Sequence, residues 1–411
     1  MQRHDVIILG GGLVGLTLAI ALARHGVTCA VIDPADPASV LAPGFDGRAS
    51  AVASAPWKML RAIGVGERLE GLGCPIERIR VSDGLEPGAL DFDPAEEGGA
   101  LGTMFENRLL RTALAQTAHD VPGLTIHQPD RAQTVDRGDH GVTVTLASGA
   151  QLTASLLIAA EGRNSPTRQA AGIRVARWSY DHVAMISAIH HEQPHGNTAY
   201  EIFYPAGPFA ILPLLSDAVT GGGSDSPRSA IVWTVKAADA PAMLALNDRA
   251  WTAEMEKRMG GFLGKVTPAG PRSSYPLGFH HAATITAKRL ALVGDAAHGI
   301  HPIAGQGLNL GFRDVAALTQ VVVEGMRLGL DPGDAQLLAR YQRWRGLDTL
   351  MVAAATDSLT RLFGIPGKTA SAVRRFGLGA VQALPPLKRR FMAEARGESG
   401  ALPRLLTGET V

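Results

Sequence analysis

The stretch Val6-Ile7-Ile8-Leu9-Gly10-Gly11-Gly12-Leu13-Val14-Gly15 decides the fold of this chain. Four apolar residues running straight into glycines read as a short buried strand, and the apolar-faced run Leu13 to Arg24 reads as a helix. Thr28 to Ile32 reads as the next strand, which completes a βαβ unit near the start of the sequence. In a G-x-G-x-x-G turn of this kind Gly10 permits the tight bend, Gly12 lets the backbone approach a pyrophosphate, and Gly15 lets the helix pack on the strand. Leu13 and Val14 open the helix, where free N–H groups and the positive dipole end favour an anion. Asp33 closes the second strand, so its carboxylate is placed to hold ribose hydroxyls and disfavours a 2′-phosphate. A glycine-rich turn without a ligand is the bland alternative. Strand, helix and acid in register weigh against it.

Two later segments read as further pieces of a nucleotide site. Leu290-Ala291-Leu292-Val293 is a buried strand that runs into Gly294-Asp295, placing a carboxylate at a strand's C-terminal end, where open α/β sheets bind ligands. Asp295 there can accept from a ribityl hydroxyl. His301-Pro302 and Gly305-Gln306-Gly307-Leu308-Asn309 follow and open a long helix, Leu308 to Met326. Amides at such a helix start can stabilise negative charge on the N1–C2 edge of a reduced flavin. The alternative is that Gly305 and Gly307 are loop glycines; His298 by itself reads as structural. Ala159-Ala160-Glu161-Gly162-Arg163-Asn164-Ser165-Pro166-Thr167-Arg168 follows a buried strand and gives a charged turn, a weak signal alone.

Composition bounds the rest. At 411 residues the chain is long for one domain, and 46% hydrophobic with 19% charged residues fits a folded protein with a large core. A net charge of +1 argues against nucleic-acid binding. Cys29 and Cys74 cannot form a disulfide framework, no His/Cys cluster points to a metal, and a reducing cytoplasm is the expected compartment. The glycine-rich start is unlike a signal peptide, and no apolar run has membrane length. Helical stretches are expected at Trp57 to Leu69 and Asn107 to Ala118. Val142, Val144 and Leu146 alternate as in an antiparallel strand. Ala199 to Tyr204, Phe209 to Leu215 and Ala230 to Val235 read as strands of a second sheet, with Ser216 to Ser229 an exposed loop. The nucleotide elements thus lie on both sides of a sheet-rich insertion.

Taken together, the three segments resemble the flavoprotein aromatic hydroxylases of the p-hydroxybenzoate hydroxylase type. Within that superfamily the chain is most similar to the ubiquinone-biosynthesis hydroxylases. Asp46-Gly47-Arg48-Ala49-Ser50-Ala51, Phe209-Ala210-Ile211-Leu212-Pro213-Leu214, Tyr275-Pro276-Leu277 and the run from Gly294 to Val315 carry that similarity. It spans about Val6 to Leu350. The implied fold is α/β: a Rossmann-like FAD-binding domain from segments 1–75, 104–180 and 284–350, with an inserted mixed β-sheet substrate domain from 76–103 and 181–283. A helical C-terminal region, 351–411, completes it. Carried over, Arg48, Arg108 and Asp295 contact FAD together with Gly10, Gly12, Leu13, Val14, Gly15 and Asp33. Gly294, Pro302, Gly305, Gln306, Gly307, Leu308 and Asn309 complete the cofactor set. The departure is Glu161, where the superfamily usually has Asp.

The resemblance implies an FAD-dependent monooxygenase that forms a flavin C4a-hydroperoxide with O2 and hydroxylates a polyprenylated phenol in ubiquinone biosynthesis. NAD(P)H or another donor reduces the flavin. No catalytic side chain is assigned, since the flavin carries the chemistry; Tyr204 and His301 are weighed as bases, and Tyr204 reads equally well as core. Ile202, Phe203, Phe209, Ile211 and Leu212 are expected to form an apolar substrate wall or an ordinary buried sheet. Residues from Ile365 onward carry Lys368, Arg374, Arg375, Lys388, Arg389, Arg390, Arg396 and Arg404 against Glu394, Glu398 and Glu409, interleaved with apolar residues. Such a segment suits an anionic membrane surface on the cytoplasmic face, a biosynthetic complex, or cover for its own domain. A related FAD hydroxylase with another aromatic or lipid substrate, and a scaffold protein without turnover, are the competing readings.

Overall fold

The structure, a computed structural model, describes residues 2–85, 87, 89–93, 99–299, 306–346, 349 and 367–411. Its first sheet has six strands in the order Thr286–Ala287, Leu290–Leu292, Leu156–Ala159, Val6–Leu9, Cys29–Ile32 and Leu124–His127. All but the first of these run parallel. Parallel strands are covered on both faces and therefore read as unbroken apolar runs. Val6, Ile7, Ile8 and Leu156 to Ala159 are accordingly fully buried. The helix Leu13–Arg24 lies between this sheet and the long helix Gln306–Arg327. A Cβ on Gly311 would stand 2.8 Å from Val14 Cγ2, so a larger residue there would push the two helices apart.

The second sheet has nine strands and is built around the long strand Val175–His191. Arg228–Lys236 pairs on one side of it and Ser273–Ala282 on the other. Gly207–Leu214, Thr198–Tyr204, Arg78–Asp83 and Leu90–Phe92 extend the sheet outward in that order. One face packs on the helix Asp248–Met259, where Trp251, Met255 and Met259 meet Ile202, Phe209, Ile211 and Trp233. The other face turns toward the parallel sheet. At its far edge the helix Lys368–Ala383 docks, and Arg374 Nε donates to the buried Asp83 at 3.0 Å. The short helix Arg404–Thr407 returns to the first domain: Leu405 and Leu406 are fully buried, and the Val411 amide donates to His25 Nε2 at 3.0 Å.

Two expectations differ from this fold. The helix read over Trp57 to Leu69 is broken into Ser54–Ala62 and a 3-10 turn Gly66–Leu69. Gly64 is left-handed at φ +79, and a Cβ on Gly66 would lie 2.4 Å from Arg61 Cγ, so the chain turns there. The loop Ser216 to Ser229 is anchored rather than wholly exposed. Arg228, 1% exposed, pairs with Glu106 and Asp217 and pulls the loop's end into the core. Among the described residues, no helix is long and apolar enough to cross a membrane.

Candidate active site

Parallel packing sets the C-terminal ends of Leu290–Leu292, Leu156–Ala159, Val6–Leu9 and Cys29–Ile32 side by side. Gly294-Asp295, Glu161-Gly162, Gly10 to Gly12 and Asp33 therefore meet at one sheet edge. Gly10 is at φ +104, and a Cβ there would lie 2.4 Å from the Ala160 carbonyl oxygen. A Cβ on Gly15 would lie 1.9 Å from Gly10 O, so only glycine lets the helix start this close. Gly12 caps the helix with no side-chain bond, and the first helical bond is Leu16 N to Gly12 O at 3.0 Å. The N–H groups of the first turn thus have no helical acceptor. Asp33 accepts from Gly11 N at 2.5 Å and from Ala35 N at 2.8 Å, which fixes the acid beside the turn.

A cavity of about 580 Å³ opens over this edge. Gly12, Leu13, Val14, Gly162, Asp295, Gly307 and Leu308 line one wall, and the nine-stranded sheet forms the opposite wall. A smaller cavity of about 30 Å³ lies against the same turn, lined by Gly11, Gly12, Leu13, Arg111 and Gln128 among others. Gly12 and Leu13 border both spaces.

The other expected residues divide. Arg48 lines the main cavity, its guanidinium held by Asp46 at 2.6 and 3.0 Å. Arg111, which the sequence reading passed over, bonds the same carboxylate at 3.0 Å. Arg108 lines neither cavity: its three side-chain nitrogens bond Glu106, the Pro43 carbonyl and the Thr220 carbonyl. Asn309 is 2% exposed and uses both ends of its amide on the strand Ala49–Ala53, bonding Ala53 N and Ala51 O at 2.9 Å each. Gln306 begins the long helix, and Gly307 and Leu308 reach the cavity. His301, Pro302 and Gly305 lie outside the described residues. Glu161 accepts from Ser165 Oγ at 2.5 Å and from the amide and hydroxyl of Thr167, so it caps the short helix Pro166–Ala170. Arg168, 1% exposed, joins this turn to the Gly294 turn by bonding the carbonyls of Arg163 and Ala296.

Beneath Gly294 lies a buried charge network. Asp314 accepts from Gly294 N at 2.9 Å, His298 Nε2 at 2.6 Å and Arg345 Nε at 2.8 Å. Burial pushes the Asp314 carboxyl up, but His298 and Arg345 outweigh it and hold the pKa below the usual range. His298 is thus a buried, bonded side chain rather than a surface one. His280 Nε2 meets the Asp295 carbonyl at 2.8 Å; burial lowers the imidazole to about 4, which keeps it neutral. The Asp295 side chain is open to the cavity but ringed by protein. Burial raises its pKa, against the pull of His298 and Arg163. Tyr275 across the cavity is pushed up to about 12, mainly by burial.

The structure decides between the two readings of the apolar strands residue by residue. Ile202, Phe209 and Ile211 pack on the far side of the sheet with Trp233 and Trp251, and Phe203 joins a separate cluster with Leu90 and Phe92. Leu212 lines the cavity, together with Ile186, Glu201, Ala210, Val232 and Leu277. Side chains alternate between the faces of a strand, so a one-residue error of phase exchanges core for cavity. Tyr204 is on the far face: its hydroxyl donates to the Arg258 carbonyl at 2.5 Å.

A parallel sheet with a glycine turn, an open helix start, an acid on the next strand and a large cavity beyond defines a dinucleotide-binding flavoprotein. Residues 3–349 match the family model described as FAD binding domain, and the chain belongs to that family; FAD is its cofactor. Ubiquinone hydroxylase UbiL of Rhodospirillum rubrum is 45% identical over 407 residues, covering 98% of this chain and 92% of that protein. The 3-demethoxyubiquinol 3-hydroxylase of Escherichia coli is 34% identical, covering 96% of this chain and 99% of that protein. The crystal structure of p-nitrophenol 4-monooxygenase PnpA from Pseudomonas putida superposes with a TM-score of 0.78, covering 98% of this chain and all of that one. At 16% identity it shows a shared fold. The cradle fits the group: the uncapped first turn faces open space at Gly12, where an added Cβ would meet nothing within 4 Å.

Proposed function

We propose that this protein hydroxylates the aromatic ring of a polyprenylated phenol in ubiquinone biosynthesis. The observation that carries the reading is the 45% identity, along nearly the whole chain, to a protein named ubiquinone hydroxylase. The apolar sheet wall of Ile186, Ala210, Leu212, Val232 and Leu277 supports a hydrophobic aromatic substrate. When bound, FAD supplies the two-electron chemistry by which one atom of O2 enters the ring and the other leaves as water, with NAD(P)H or another donor as reductant.

The chain's own residues bind, orient and shield. Amides of Gly12, Leu13 and Val14 hold the diphosphate, Asp33 the adenosine ribose, and Asp295 a ribityl hydroxyl. Amides of Gly307 and Leu308 at the long helix start would stabilise negative charge on the reduced ring. Arg48 and Arg111, tied together through Asp46, give that end of the site its positive charge. Arg108 and Asn309 act on the cofactor through the segments they pin. The two walls exclude water from the ring edge. The test is a deletion strain: loss of ubiquinone with accumulation of a polyprenylated phenol is expected, restored by the wild-type gene. Normal ubiquinone and no such accumulation would refute the reading.

The C-terminal helices support a peripheral membrane contact. Val373 and Phe376 on Lys368–Ala383, Leu387 and Phe391 on Pro385–Ala395, and Leu384 between the two helices are exposed, Phe376 at 80%. Arg389 and Arg390 are exposed among them, whereas Arg374, Lys388 and Arg396 are buried. The free basic charge is therefore smaller than the sequence count implies, and the apolar ridge carries more of the docking to an anionic bilayer.

A further inference from the structure

Hydrogen-bond register aligns Val81, Glu201, Ala210, Val232 and Ile186 in one row across five strands of the large sheet. In-register side chains share a face, and Glu201, Ala210, Val232 and Ile186 all line the main cavity. Glu201 is the only polar member of that row. It is 9% exposed, and among the described residues no hydrogen bond or ion pair engages its carboxyl. An unpaired acid on an apolar wall opposes folding, and such groups cluster where chemistry is done.

The surrounding charges leave it alone. On its own strand Tyr200 and Tyr204 point to the opposite face. On the adjacent strand Arg78 and Arg80 alternate to that same opposite face and pair with Asp93 and Asp91, while Asp83 is taken by Arg374 and Ser371. The other neighbour, Gly207–Leu214, has no ionisable residue. Facing it from the rest of the cavity are Arg48, Arg163, Tyr275 and Asp295. Burial alone pushes the Glu201 carboxyl up to about 8.

We propose that Glu201 is the group that receives the proton of the substrate's ring hydroxyl, holding the ring against the sheet wall and making it electron-rich for oxygen insertion. The step balances simply: the phenolic O–H bond breaks, its electron pair stays on the oxygen, and the proton forms a new O–H on the carboxylate. Ionised Glu201 is required, so hydroxylation rises about tenfold per pH unit below about 8 and levels above it. The sign for stability is opposite. A carboxyl raised from 4.5 to about 8 stabilises the fold when protonated, and that contribution is lost as pH rises from 4.5 through 8.

The inference rests on the phenol-hydroxylase reading, and the experiment separates the two. Wild type, Glu201→Gln and Glu201→Asp, each loaded with FAD, are compared using a phenol bearing a short prenyl chain and its methyl ether as probes. Flavin absorbance gives FAD content and the binding of each probe, and product is measured from pH 6 to 9. Glu201→Gln is expected to keep FAD, to lose roughly 10²-fold in rate and the pH response, and to bind phenol and ether alike, where wild type prefers the phenol. Its stability falls less than that of wild type between pH 4.5 and 8, and Glu201→Asp recovers part of the rate with the pH response. Glu201→Gln with the wild-type rate and profile, or FAD lost with activity and not restored by Asp, overturns the assignment while hydroxylation by wild type stands. Binding that depends on Glu201 without any hydroxylation by wild type overturns the functional reading instead. Absence of both binding and turnover in wild type overturns both.

Discussion

Replacing Asp314 with alanine removes the acceptor shared by Gly294, His298 and Arg345. All three donors are buried and bonded to it at 2.6 to 2.9 Å, and the carboxylate itself is 0% exposed. Each unmet buried donor costs about 1–3 kcal/mol, so a plain sum reaches about 3–9 kcal/mol. The site can relax, which brings the expected loss to about 3–5 kcal/mol, the range for breaking a buried charge pair. That is a large share of a total stability of about 5–15 kcal/mol. Urea denaturation of the FAD-free protein, followed by its five tryptophans, measures it at pH 7. The pH dependence is a second check. The depressed pKa of Asp314 means its contribution is present above the unfolded value of 3.8 and is lost as pH falls through the folded one. The gap between wild type and Asp314→Ala should therefore narrow in acid. Because Gly294 N hangs from this carboxylate, FAD should also bind more weakly. A loss under about 1 kcal/mol, far below the range above, with unchanged FAD affinity would refute the reasoning.

Gly15→Ala should yield folded protein largely without FAD, since the new Cβ drives Gly10 O away from 1.9 Å and overpacking of this kind costs about 1–3 kcal/mol; flavin absorbance per chain reads the result. Asp295→Asn should weaken FAD binding, since a neutral amide accepts a hydroxyl's hydrogen bond less strongly than a carboxylate; a variant that keeps full affinity contradicts its role. Removing the C-terminal helices would also remove Leu405 and Leu406 from the core, so the membrane contact is better tested by Phe376→Ser with Phe391→Ser. Sedimentation with vesicles containing phosphatidylglycerol should fall several-fold with no change in melting temperature, and unchanged sedimentation would count against docking.

What the sequence disclosed follows from the range of each interaction. Gly10, Gly12, Gly15 and Asp33 work within one βαβ unit, so spacing alone exposes them. Asp295 was legible because a strand end followed by Gly-Asp is itself a local pattern. Glu201 was not, although an acid amid Ala199, Ile202 and Phe203 is a visible oddity. Which face of its strand meets the cavity depends on pairing with Ala210 and Val81, partners set by the whole sheet. The same ignorance of phase left Ile202, Phe209 and Ile211 open between substrate wall and buried sheet, and the pairing decides for the buried sheet. Arg108 and Asn309 entered the cofactor set through the resemblance, and their bonds to Thr220 and Ala53, from remote segments, were not legible in the sequence.

The placement of Leu290–Leu292 beside Leu156–Ala159 also bears on how the chain is made. About 130 residues separate these neighbours, and six of the large sheet's nine strands are threaded between them. At the ribosome's pace of about 5–20 residues per second, Leu156–Ala159 emerges roughly ten seconds before the strand that will cover it. Until then it offers an apolar parallel edge to any passing chain. Asp295 and the glycine turn become one site only after that wait, so the complete FAD site forms late in synthesis. Yield in the cell should therefore respond to translation speed between residues 160 and 290.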